Sequence, residues 1–176
     1  MMKNIFIILF SLIVLFSNAQ NLTLDELMTL RKSNITEVKH YLTNKNWEFS
    51  RYKQGGNKIP NMYEFNYQNY ISTVLYMEHP KGNTNLSRII VLTTSDKKAQ
   101  EYAERVLSFN PKHLQGKYDE LAIATNVYQG ATTTFIFESY QTPGSKSHYY
   151  LITILNNQDY NKNYRINALV FYKLNT

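Results

Sequence analysis

The feature that most constrains this chain is a spaced self-similarity: residues 67–95 are echoed sixty-one positions later by residues 128–156. Tyr67-Gln68 lines up with Tyr128-Gln129, Thr73 falls on Thr134, and Val74-Leu75-Tyr76 falls on Phe135-Ile136-Phe137. Ile90-Val91 falls on Leu151-Ile152, residues 34–38 sit over 95–99, and Tyr41 sits over Tyr102. The unit implied is a helix followed by antiparallel strands, used twice. The expected fold class is therefore α+β. Two similar helix-plus-antiparallel-strand units, residues 34–94 and 95–155, have their helices packed on one face of antiparallel sheet. A final strand at 165–174 lies outside the repeat.

Local signals place the elements. Thr23 with Glu26 forms a capping box, Leu22 can staple to Leu27, and Leu24, Leu27, Met28 and Leu30 make a short helical stripe. Asn34 restarts the chain as a second cap, with Ile35, Val38, Tyr41 and Leu42 on one face. Trp47, the only tryptophan, stands at the following helix-to-strand corner and is expected in the core. Residues 63–67, 71–78 and 88–93 read as strands, the last apolar at consecutive positions and so central and covered on both faces. Ser95 caps a longer helix carrying Ala99, Tyr102, Ala103, Val106 and Leu107, which Pro111 stops. After a connector at 112–119, strands are expected over 121–128, 132–140 and 149–155.

Residues 1–19 read as a secretory leader. Lys3 is the positive start, residues 5–16 are apolar except for Ser11, and Ser17-Asn18-Ala19 offers small residues before a cleavage site at Gln20. Twelve core residues fall short of the roughly 20 a spanning helix needs. The mature chain, residues 20–176, is therefore expected as one exported domain, periplasmic or secreted, without stable membrane insertion. The absence of cysteine removes disulfides and thiolate chemistry, so this domain must hold together by burial. Its 15 tyrosines suit half-buried sheet surfaces. The formal charge of +6 is scattered, with no motif that reads nucleic acid, so no nucleic-acid partner is expected.

Leu27, Leu30, Ser33, Val38, Leu42 and Trp47 carry a resemblance. A short helix, a polar break, valine and leucine at helical spacing, a tryptophan and antiparallel strands resemble the outer-membrane assembly lipoprotein family SmpA/OmlA. The tandem form of that unit is found in the secreted β-lactamase inhibitory protein architecture. The resemblance implies a protein-binding, non-enzymatic module. No functional residue is carried over, because Ser33-Asn34 and Asn44-Lys45-Asn46 stand where those families place glycines, and the inhibitor's cysteines are missing.

His40, His79, His113 and His148 show no metal-ligand spacing, and neither metal nor cofactor is expected. Glu64, Glu78 and Glu138 could lie in neighbouring strands, and two carboxylates ~5–9 Å apart could serve hydrolysis. The plainer reading makes them solvent-facing residues that counter Lys81, Arg88 and Arg165. Strand phase sets Val74 and Tyr76 with Phe135 and Phe137 on the core side. The other side carries Thr73, Leu75 and Met77, with Thr134, Ile136 and Glu138. An exposed apolar patch at Leu75, Met77 and Ile136 is the expected contact surface for a protein partner. Tyr63, Tyr67 and Tyr140 are the candidates if the ligand is instead a carbohydrate or small molecule on a tyrosine-lined face. A hydrolase built on the strand glutamates is the third alternative.

Overall fold

Thr23 and Asn34 open the first two helices by the same device. In each, the cap side chain accepts from the backbone N–H three residues on, and the glutamate there (Glu26 or Glu37) accepts from the cap's own N–H. These helices are α1 (Leu24–Lys32) and α2 (Ile35–Asn44). The computed structural model describes residues 22–56, 59–68, 72–114, 122–141, 144 and 146–161. The leader with its cleavage site and the strand expected at 165–174 lie outside the described residues.

At the end of α2 the Trp47 N–H donates to the Leu42 carbonyl and the Asn46 N–H to that of Thr43. Asn46 stands at φ 62°, so this is a Schellman stop with asparagine in the left-handed position. It turns Trp47 back against Leu42, and both are buried in the core. There follow β1 (Glu48–Lys53), β2 (Asn61–Tyr67), β3 (Ser72–Glu78), a 3-10 turn (Thr84–Leu86) and β4 (Arg88–Thr93). The remaining elements are α3 (Asp96–Leu107), β5 (Lys112–Leu114), β6 (Ala124–Gln129), β7 (Thr133–Gln141), β8 (His148–Asn156) and α4 (Asn157–Asn161).

The strands form one antiparallel sheet in the order β1-β2-β3-β4-β8-β7-β6-β5. Two meanders thus meet at their last strands, with Ile89 opposite Ile154 and Val91 opposite Ile152. Strand β4 lies centrally and is buried at five of its six positions, as its continuous apolar run predicts. The halves differ in detail. The first carries two helices ahead of its strands and the second one, and β5 has three residues where β1 has six. Val74 pairs with Val91 but Phe135 pairs with Ile154, a two-residue slip from the sixty-one spacing. An even slip leaves every side chain on its own face.

Helices α1, α2 and α3 share one face of the sheet. Leu27, Leu30, Val38, Leu42 and Tyr102 pack there with Phe65, Val74, Tyr76, Val91, Phe135 and Ile152. The Tyr102 hydroxyl donates to the Leu22 carbonyl at 2.8 Å, tying α3 to the entry of α1. Burial holds that phenol far above its usual titration range. The other face carries a second cluster: Met62, Leu75, Met77, Ile90, Tyr140 and Leu151.

Candidate functional site

Of the six residues singled out from the sequence, Leu75, Met77 and Tyr140 come together in the second cluster, while Tyr63 and Tyr67 belong with the first. Leu75 and Met77 are 2% and 1% exposed, and Ile136 is half-buried. The expected surface patch is therefore not on the surface: the phase of alternation is as read, but the face away from the helices is also a buried one. Tyr140 belongs to that second cluster, its ring stacked on Tyr149 at 5.1 Å and 10°. Tyr63 and Tyr67 lie on the helix-side face instead. Tyr67 is buried with its ring 5.3 Å from Trp47. Tyr63 is wedged between Tyr52 and Tyr76, and burial beside Glu78 pushes its phenol up to about 12.

The strand glutamates are corrected in two ways. Glu64 and Glu138 are 5% and 8% exposed rather than solvent-facing. Arg51 donates to Glu64 Oε2 at 2.6 and 3.1 Å, Asn66 donates to Glu64 Oε1, and Thr73 donates to Asn66 at 2.8 Å, a chain that satisfies the carboxylate inside the face. Nor do Glu64 and Glu138 form a catalytic pair. They stand on β2 and β7, four strand positions apart, or about 19 Å at ~4.8 Å per strand. Glu78 accepts from Asn61 and Tyr63, on the phase of the helix-side face. Arg88 is paired with Asp159.

A different place emerges from the unequal helix count. In the second half, α3 lies against β4 and β8, and no other described helix covers β6 and β7 on this face. The space left between α3 and the sheet is a groove of about 390 Å³. The register builds its floor. Ser139 stands between Ala124 and Tyr150 in one cross-strand row, and Phe137 stands between Asn126 and Ile152 in the next. Tyr128 closes the floor with its ring edge-on to Phe137 at 6.0 Å and backed by His113 at 5.1 Å. The latter contact puts His113 on β5, inside what the sequence reads as a connector.

The wall is the flank of α3. Ala99 and Ala103 keep it low enough for the groove to stay open, and Gln100 and Asp96 add polar groups. Asp96 Oδ1 accepts the Tyr150 hydroxyl at 2.9 Å, which latches the start of α3 to β8 and raises the Tyr150 phenol through that hydrogen bond. Phe137, Tyr128 and Tyr150 are each half-buried, so their rings are held by packing while part of each meets the groove. The lining offers ring faces, amides and a hydroxyl. Among the described residues no cluster of three or more histidines or carboxylates could hold a metal ion. From the sequence, Phe137 falls on the core side and Tyr150 among the tyrosines able to form a stacking platform, but Asn126, Tyr128 and Gln100 are not singled out. One signal for the groove is present, since two amphipathic helices precede the first set of strands and one precedes the second.

Comparison with protein-family models, with curated proteins and with solved structures finds no match for this chain.

Proposed function

We propose that this chain is an exported, non-enzymatic binding module whose ligand enters the groove between α3 and strands β6–β8. The observation that carries this reading is the half-uncovered aromatic floor, where Tyr128, Phe137 and Tyr150 are fixed by packing but open on one side. Pre-positioned rings bind at low entropic cost, and a volume near 390 Å³ falls within the ~300–1,000 Å³ of small-molecule sites. A protein partner at Leu75 and Met77, expected from the sequence, is disfavoured by their burial. Export is supported by the leader-like residues 1–19, and among the described residues no helix is long and apolar enough to cross a membrane.

The groove follows from a two-unit architecture in which α1, ahead of the first unit, has no counterpart beside the second. That architecture is supported by the sixty-one-residue spacing and by two meanders meeting at β4 and β8. A crystal structure of the mature chain in which residues 34–94 and 95–155 follow different strand orders would remove it.

The function is tested with the mature chain labelled with nitrogen-15 and a cocktail of small uncharged ring compounds. Shift changes are expected to gather on Gln100, Asn126, Tyr128 and Phe137. Changes gathered elsewhere, or none, would refute the groove as the binding surface.

A further inference from the structure

We propose that the ligand of this groove is a neutral carbohydrate, one or two pyranose rings stacked on Tyr128, with Phe137 edge-on beside it, and with their hydroxyls met by Asn126, Gln100 and Ser139. This inference rests on the binding reading above and names the chemistry of the ligand. A pyranose is amphipathic in a particular way: its axial C–H groups form an apolar face, and its hydroxyls point outward around the rim. The lining repeats that division. Ring carbons of Tyr128, Phe137 and Tyr150 make the floor, while side-chain amides and a hydroxyl stand beside it at Asn126, Gln100 and Ser139. Asparagine and glutamine each offer a donor and an acceptor, as two adjacent hydroxyls require.

The charge pattern excludes other ring-bearing ligands. The groove is lined by two acidic residues, Asp96 and Glu138, and by no lysine or arginine. Of the two lysines at the start of α3, neither belongs to the lining: Lys97 is exposed, and Lys98 is turned to Glu101 at 3.0 Å and over the Tyr102 ring. A phosphorylated sugar or a nucleotide would bring its charge to a carboxylate with no cation in the lining to receive it. A purely apolar ligand would make no use of the amides of Asn126 and Gln100, which face solvent at the edge of the groove. Asn126 is solvent-exposed, and Gln100 spends one amide hydrogen on Glu104, so both keep bonding capacity.

The test is a titration of the labelled mature chain with maltotriose, cellotriose and chitotriose, with glucose 6-phosphate as the charged comparison. At least one trisaccharide should shift the amides of Asn126, Tyr128 and Phe137 saturably. Tyr128→Ala should then weaken binding about tenfold, the loss of one stacked ring. Because Tyr128 also packs on His113 and Phe137, a second variant guards against misfolding: exposed Asn126→Ala should weaken binding several-fold with an unchanged melting temperature. Tighter binding of glucose 6-phosphate than of every trisaccharide would overturn the neutral-ligand assignment. So would trisaccharides that leave the groove amides unmoved. If uncharged ring compounds still bind there, only the sugar assignment fails; if they too are silent, the groove reading fails with it.

Discussion

Glu26 shows how much of this fold is written in single side chains. Its Oε2 accepts the Thr23 N–H at 2.7 Å, and its Oε1 accepts the Tyr41 hydroxyl at 2.6 Å and Lys45 Nζ at 2.5 Å. One carboxylate thus caps α1 and ties it to both the middle and the end of α2. Burial by itself raises this carboxyl, but the hydrogen bonds from Lys45, Tyr41 and the Thr23 backbone outweigh it and bring the pKa to about 2. The folded-state value is depressed, so the stabilisation is complete above the ordinary value of 4.5 and is lost as pH falls from there through about 2. Glu26→Gln should cost roughly 1–2 kcal/mol at neutral pH, the usual worth of a cap and a charge-assisted bond. It should also flatten the fall in urea midpoint between pH 4.5 and 2. An unchanged acid slope would assign that dependence to other carboxylates. The capping role is legible in the Thr-x-x-Glu spacing; the bonds to Tyr41 and Lys45 depend on how α1 and α2 cross.

Among the elements, α4 is the one whose position local sequence explains least. It has five residues, too few to be stable by helix formation alone. What holds it is Asp159, whose Oδ1 accepts from Arg88 Nη2 at 2.9 Å while Oδ2 accepts from Arg88 Nε, with both residues buried. This two-pronged pair joins α4 to β4 across 71 positions of sequence. Asp159→Ala leaves a buried guanidinium without its carboxylate and should cost about 3–5 kcal/mol. Replacing the pair together, Arg88→Met with Asp159→Leu, should recover most of that loss, because the desolvation of both charges disappears with them. Denaturant curves for the two singles and the double complete the cycle. A double variant as unstable as Asp159→Ala would mean that the pair is not the anchor.

Across the whole molecule, one continuous apolar cluster runs through both halves, from Leu22, Phe65 and Ile89 to Tyr102, Phe135 and Ile154. The halves should therefore unfold together. Fluorescence of Trp47 reads the first half, and amide exchange of β6–β8 reads the second; both are expected to give the same global free energy. A second half that opens at distinctly lower free energy would show two units that merely touch. Most of this architecture was open to reading from residues alone: the caps at Thr23, Asn34 and Ser95, the extents of α1 to α3, strand β4 at residues 88–93, and the shared phase of Val74 with Phe135. Each depends on contacts within a turn or on a period of 3.6 or 2, and nearby residues carry those signals complete. Alternation says which side chains share a face but not whether that face meets water. The burial of Leu75, Met77 and Glu64, the pairing of β5, the Arg88–Asp159 anchor and the groove beside α3 were therefore decided by the assembly of distant segments, and only the tertiary structure displays them.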